Sequence, residues 1–445
     1  MAEGQCGSIA RPPPNANASN RFMRQLHADA IPSRAAVRRV ALARAISAAG
    51  NASAFVALSA VLYASTGSAV WVSAAALASY APPALISPLA GAIGDRRDRR
   101  RVMVISDLLG SGCLVLMALV SGPAALVGVR VLAATVAAPL VPAAGAALPG
   151  LAPAGEIGWA NSHLATAGTL GALVGPVVGG LLVAGSGASL VFVLNACCFL
   201  VSALLVLSIR GPFGEVDDAE NSAGTERGLA SGFAFLVRHR ELRAVTIAFG
   251  LIFLGIGLTL PAEVALATDF GVGAAGYGVL MALWGVGAAV GAQLASGLLR
   301  HWRSLPLLTF SACGIALALW GIGAAPIFAL ALTAMGIAGF AEGVWEVAQQ
   351  VLIQSCAPNT IRSRVLAANE AISQVGFSVA TLFAGLLINA LGPRPGYYIA
   401  GVICGLGALV LAVATYLSGH QAGASGSARP KREGQVGFQS GTDGR

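Results

Sequence analysis

Glu342 and Glu346 stand four residues apart inside a long apolar run, Pro326 to Ile353, with Gln349 and Gln350 on the turn that follows. Helical spacing puts residues i and i+4 on one face, so the two carboxylates share a surface. Carboxylates so close in an apolar medium repel when both are ionised, so at least one is expected to be protonated for part of any cycle. That is the chemistry of a proton carrier; the plain alternative is a static polar seam between helices. Arg130 poses the inverse problem. It lies several residues into another apolar run, where a guanidinium needs a carboxylate, a water-filled cavity or a route to the interface, and its sequence neighbours include no acid. Glu263 follows Pro261 in a third run and reads as an outer gate or an interfacial residue. Asp107 and Glu370 fall near the ends of their runs, where exposure favours structural ion pairs, and Arg44 reads as a snorkelling side chain.

Enzyme chemistry has little to stand on. The histidines His27, His163, His239, His301 and His420 form no ligand pair, the seven cysteines show no metal spacing, and no phosphate loop, nucleotide fingerprint or triad order occurs. No cofactor or metal is implied.

Composition says what must hold these groups. Of 445 residues 56% are hydrophobic and 10% charged, against roughly 25% charged in a soluble domain, and the mean hydropathy is +0.77. The chain reads as a multi-spanning membrane protein. Its net charge of +8 comes mainly from arginines in loops and tails, which fits orientation and anionic headgroups better than nucleic acid.

The turn Gly91 to Arg101, with five arginines between Val70–Ala90 and Val102–Val120, closes a helical hairpin. So basic a turn belongs on the cytoplasmic face. Counting apolar runs from there gives six spans in 36–209, a cytoplasmic linker at 210–242 and six more spans in 243–418. Residues 1–35 and 419–445 read as disordered cytoplasmic tails. Within the linker, Leu229, Phe233, Leu236 and Val237 alternate with basic residues and predict an amphipathic helix on the cytoplasmic leaflet. Pro82-Pro83 predicts a bend in the second span. The expected fold is therefore an all-α membrane protein of twelve helices in two pseudo-symmetric six-helix bundles, multi-pass in the plasma membrane with both termini inside. Such an architecture holds its substrate near mid-bilayer between the halves.

Three motifs carry a family resemblance. Gly91-x-x-x-Asp95-Arg96-x-x-Arg99-Arg100 resembles the signature loop of the major facilitator superfamily, with Asp98 where that family usually has Gly. Leu126-x-x-x-Arg130 is similar to its membrane-embedded arginine motif, and Gly171-x-x-x-Gly175-Pro176-x-x-Gly179-Gly180 to the motif of proton-coupled antiporters. Phe192-x-x-Asn195 with Ser202, and Leu236 through Arg243, resemble the drug and siderophore exporter branch that includes enterobactin exporters and macrolide efflux proteins.

The resemblance implies a role for each. Gly91, Asp95, Arg96, Arg99 and Arg100 would latch a cytoplasmic gate; the alternative is that the arginines only orient the turn. Arg130 would face the central cavity and modulate proton transfer; Glu342 and Glu346 lie outside the three motifs, and it is their spacing alone that makes them proton-coupling candidates. The glycine ridge and Pro176 would seal a close helix contact against leak. Asn51, Tyr63, Glu263, Trp345 and Gln349 would line the substrate cavity with them. One departure bears on coupling: Asn51 stands where related exporters often have Asp, and an amide carries no proton. The expected activity is proton-coupled efflux of an amphipathic, drug-like or siderophore-like molecule by a monomer embedded in lipid. Uniport or import of a small metabolite, or uncoupled lipid handling on the same fold, are the alternatives.

Overall fold

In hydrocarbon the backbone must satisfy its own polar groups, so apolar runs of this length fold as helices. The computed structural model of the chain describes residues 33–96, 98–209, 213, 225–358 and 361–426, with backbone alone at 87–96, 225–230, 363 and 418–426. Among these residues the first half holds α1 (Arg34–Thr66), α2 (Ala69–Arg96), α3 (Arg99–Leu119), α4 (Pro123–Ala137), α5 (Leu140–Leu151), α6 (Ile157–Ser186) and α7 (Ala188–Leu207). The linker contributes α8 (Thr225–Arg238). The second half holds α9 (Arg240–Asp269), α10 (Gly273–His301), α11 (Ser304–Ala324), α12 (Phe328–Cys356), α13 (Arg362–Leu391) and α14 (Pro393–Gly426). Twelve spans are long and apolar enough to cross a membrane, α4 and α5 together making one. Their outward faces carry bare side chains such as Leu204, Leu317 and Leu409, the surface a lipid tail would cover.

Local chemistry sets the helix ends. The Ser33 hydroxyl accepts the Ala36 N–H at 3.2 Å and starts α1, and Gly67 stops it in the left-handed conformation (φ 62). Asp98, the departure in the charged turn, is the N-cap of α3: its carboxylate accepts the Arg100 N–H at 3.0 Å.

Three expectations are corrected. The fourth span is not one helix, because Pro139 has no N–H to donate and the chain breaks between Ala137 and Leu140. Pro82 and Pro83 sit inside a helix that continues from Ala69 to Arg96. The linker helix ends at Arg238, and Glu241 to Arg243 open α9. Leu236 is buried in the second half's core and Gly232 packs on the Arg364 carbonyl, while Phe233 and Val237 are exposed. α14 continues past Ser418 to Gly426, a stretch with no proline to stop it. The expected tails at residues 1–32 and 427–445 and the acidic stretch at 214–224 lie outside the described residues.

Packing repeats between halves. α1 lies along α6 and α7 as α9 lies along α13 and α14; α3 pairs with α7 as α11 pairs with α14; α2 meets α4 as α10 meets α12. Glycines allow the closest of these approaches. A Cβ on Gly171 or Gly175 would collide with the carbonyl of Ala45 or Ala49, and one on Gly179 would come within 2.7 Å of Ser53 Cα. The second half does the same where Gly287 and Gly291 of α10 meet Gly336 and Phe340 of α12.

The halves meet through α6 on α10 and α2 on α13, with α1 and α2 touching α9. These contacts gather at the end of the bundle away from the first residues of α1. Gly180 packs on Ala274, Gly278 on Pro176, and Gly385 on Val70. The Asn389 amide donates to Ser68 Oγ and accepts the Ala69 N–H, each at 2.8 Å.

Candidate functional site

Two cavities concern the site, one inside the amino-terminal half and one at the junction of the halves. The first, about 280 Å³, lies within the amino-terminal half, among α1, α2, α4 and α5. Arg44, Ser47 and Asn51, spaced three and four residues apart, place one stripe of α1 on it. Ser79 and Pro83 of α2 and Arg130 of α4 complete the polar wall, and the break at Ala138 widens it. Arg130 is buried, with Nε donating to Ser79 Oγ at 2.7 Å and Nη1 to Asn51 Oδ1 at 3.0 Å. The buried guanidinium thus rests on two neutral oxygens and a cavity, with no carboxylate in contact.

Behind this wall two expectations fail. Asp107 is not exposed but wholly buried, accepting the Ser202 hydroxyl at 2.6 Å with its Oδ1 unpartnered. Arg44 does not reach for the interface; it lines the cavity, within electrostatic range of Asp107. Both errors have one origin. The face of α3 that bears Asp107 packs on α7, and a residue near a helix end is exposed only if no neighbour covers it.

The second cavity, about 230 Å³, lies at the junction of the halves. Tyr80 of α2 enters it from one side; Leu260 and Glu263 of α9, Trp284 of α10, Glu342 of α12 and Phe377 of α13 form the other. Pro261 helps shape it, since the missing N–H frees the Gly257 carbonyl, which accepts Thr381 Oγ1 of α13 at 3.2 Å. Glu263 is only 5% exposed and its Oε2 has no partner. It is therefore not interfacial, and it faces Glu342 across the same space, within electrostatic range. Tyr80 packs edge-on between Phe55 and Phe377, at centroid distances of 5.9 and 5.4 Å.

Other expected cavity residues sit elsewhere. Glu346 is exposed and within range of both Glu342 and Glu370, yet lines neither cavity. Trp345 is buried and stacked on Phe249 of α9, its indole N–H donating to Gln349 Oε1 at 3.1 Å. Gln349 Nε2 donates onward to Asn369 Oδ1 at 3.2 Å, so this pair belongs to a polar seam inside the second half. Tyr63 lies near the far end of α1, within range of Asp269, and lines neither cavity. The reading from sequence missed Ser79, Tyr80 and Trp284 as members of the site. An aromatic just before Pro82-Pro83 was the one signal available for Tyr80; Ser79 offered none.

The charged turn is described in part. Gly91, Asp95 and Arg96 close α2, but their side chains, like Arg97, lie outside the described residues. Arg99 donates to the Phe213 carbonyl at 3.2 Å, and Arg100 donates to the Leu207 carbonyl while stacking on the Phe213 ring at 5.9 Å. Both arginines thus tie the turn to the exit of α7, within their own half. In the glycine motif, Gly171, Gly175 and Gly179 face α1, Gly180 faces α10, and Ser53 Oγ lies 2.7 Å from the Gly175 carbonyl. Pro176 and Gly180 make the same helix part of the seam between halves.

Twelve spans in two matching bundles, with a polar cavity inside the first bundle and another where the two meet, define a membrane transporter. The chain belongs to the Major Facilitator Superfamily, whose profile matches residues 40–264 and again 245–440. It is 29% identical over 361 residues to the multidrug efflux pump Tap of Mycolicibacterium fortuitum, covering 77% of this chain and 87% of that one. It is 26% identical over 250 residues to the enterobactin exporter EntS of Escherichia coli O1:K1, covering 55% and 57%. These relatives match the drug and siderophore exporter branch. Among solved structures, the nucleoside transporter NupG has the same fold, with a TM-score of 0.71 at 16% identity over 86% of this chain and 99% of that one.

Proposed function

We propose that this transporter exports an amphipathic small molecule by alternating access, driven by protons moving inward. The observation that carries the reading is that Glu263 and Glu342 share one cavity at the junction of the halves, with Glu263 Oε2 unpartnered. Two carboxylates in so small an apolar space need a cation or a proton between them. A cationic cargo entering from the basic side would neutralise them; protons from the opposite side would displace it after the halves rock. Closure around Asn389 and Ser68, at the end away from the basic turn, supports an inward-facing state as the one seen. Asp95 and its arginines would latch the other state.

Ethidium provides the test. In cells stripped of their own pumps, expression is expected to lower ethidium accumulation, a protonophore to erase the difference, and Glu342→Gln to abolish it at unchanged protein level. Accumulation indifferent to the protein for a panel of cationic dyes would sink the reading. Purified protein in weak buffer should also release protons when ethidium is added; release that survives both Glu263→Gln and Glu342→Gln would overturn the proton assignment. A second reading, uniport or import of a small metabolite, draws on Asn51, an amide bonded to Arg130 where an acid is often found. Transport insensitive to the protonophore would favour it.

A further inference from the structure

The two cavities carry opposite charge, and consecutive residues of one helix join them: Ser79 lines the first and Tyr80 the second. Tyr80 lies within electrostatic range of both Arg130 and Glu263. On the cationic side, Arg130 spends Nε and Nη1 on neutral oxygens. Arg44, which lines the same wall, makes no hydrogen bond or ion pair among the described residues. Asp107, the acid in range of Arg44, is engaged by Ser202, is wholly buried, and is not part of the lining. Two guanidiniums on one wall of a half-enclosed space, with no acidic side chain in its lining, suit an oxyanion. On the anionic side, Glu263 and Glu342 share a lining that has no basic side chain. The aromatic edges of Phe55, Tyr80 and Phe377 stand between the two.

We propose that the cargo is zwitterionic. Its carboxylate, or an equivalent oxyanion, is held by Arg44 and Arg130; its cationic nitrogen by Glu263 and Glu342; and its apolar body lies on the aromatic edges around Tyr80. Arg44 is on this account a specificity residue that selects for an acidic group. The inference rests on the transport reading above and narrows its preferred substrate class: a cargo with positive charge alone, such as ethidium, engages only the acids and is carried less well than one with both charges.

The test uses a fluorescent probe in two forms, rhodamine 110, which carries a carboxylate and a cationic nitrogen system on separate parts of an aromatic body, and its methyl ester rhodamine 123, which has lost the carboxylate. With full-length protein in nanodiscs, the free acid is expected to bind at least about tenfold more tightly than the ester, the scale of one charge-assisted hydrogen bond. Arg44→Gln should bring the ratio of the two affinities close to one, and Arg44→Lys should restore part of it, which a general loss of packing would not do. Equal affinity of acid and ester in the unmodified protein overturns the zwitterion while leaving export intact. Rescue of ester binding by added inorganic phosphate also overturns it, because a free anion would then supply the charge. Failure of both probes to bind saturably at millimolar concentration overturns it too; the ethidium assay still decides export separately.

Discussion

Asn389 and Ser68 are 321 residues apart in the chain, and the amide of one donates to the hydroxyl of the other at 2.8 Å. The same amide oxygen accepts the Ala69 N–H at 2.8 Å, so a side chain of the second half caps a helix of the first. A cap supplied in trans favours the state in which that end of the bundle is closed. Asn389→Ala removes it, at a cost of about 1 kcal/mol to that state alone, which is roughly a fivefold change in population. Spin labels at Ser186 and Ala324 should then report a larger share of long distances. An unchanged distance distribution would show that the glycine contacts hold this end without Asn389.

The glycine ridge should separate contact from composition. Gly175→Ala drives a methyl into the Ala49 carbonyl across the α1–α6 contact, and overpacking of this kind costs about 1–3 kcal/mol. Gly185→Ala, in the same helix with open space around it, should be neutral or slightly stabilising. Thermal unfolding of the two purified variants in detergent makes the comparison; equal midpoints would mean that the helices part easily.

Arg130→Lys keeps the charge and loses the fork. A lysine cannot serve Ser79 and Asn51 in the two directions that Nε and Nη1 now do. Efflux of ethidium is expected to fall about tenfold or more, as when a charge-assisted hydrogen bond is lost. Asn51→Asp, which places a carboxylate beside Nη1, should instead retain binding and make transport more dependent on pH. Wild-type rates in Arg130→Lys would remove Arg130 from the transport cycle.

A pH dependence of stability is expected at one exposed joint. Arg34 donates Nη2 and Nε to the two carboxylate oxygens of Glu156 at 2.7 and 2.8 Å, which holds Glu156 below the usual carboxylate range. A group whose folded pKa is depressed contributes stability above its unfolded pKa and loses it as pH falls through the folded value. The difference in melting temperature between the native protein and Arg34→Gln should therefore be constant from neutral pH down to about 5, shrink once pH falls past the ordinary glutamate value of about 4.3, and vanish below the depressed folded value of Glu156. It should be small and shrink with salt, the pair being exposed. A difference that persists in strong acid would assign it to the packing of Arg34 on Trp159.

Much of the architecture was legible along the chain. Long apolar runs, a basic turn after the second of them and an acidic linker in the middle dictate twelve helices in two sixes, since hydrocarbon tolerates little else. The small-residue spacing from Gly171 to Gly180 likewise announced a close helix contact, because only glycine lets two backbones approach so near. Arg130 announced a polar interior.

What tertiary structure alone decided was the rotation and partner of each helix. In a membrane both the lipid and the protein face of a helix are apolar, so hydrophobic periodicity, which orients helices in water, says little here. Glu342 and Trp345 lie three residues apart, yet one meets a cavity and the other a packed seam. Asp107 near a helix end is buried because α7 covers it, while Ser79 and Asn389 acquire their parts from residues in other helices or the other half. The residue types necessary for a polar core were present in the sequence; which of them share a cavity depends on contacts across the whole bundle, and no local spacing encodes those.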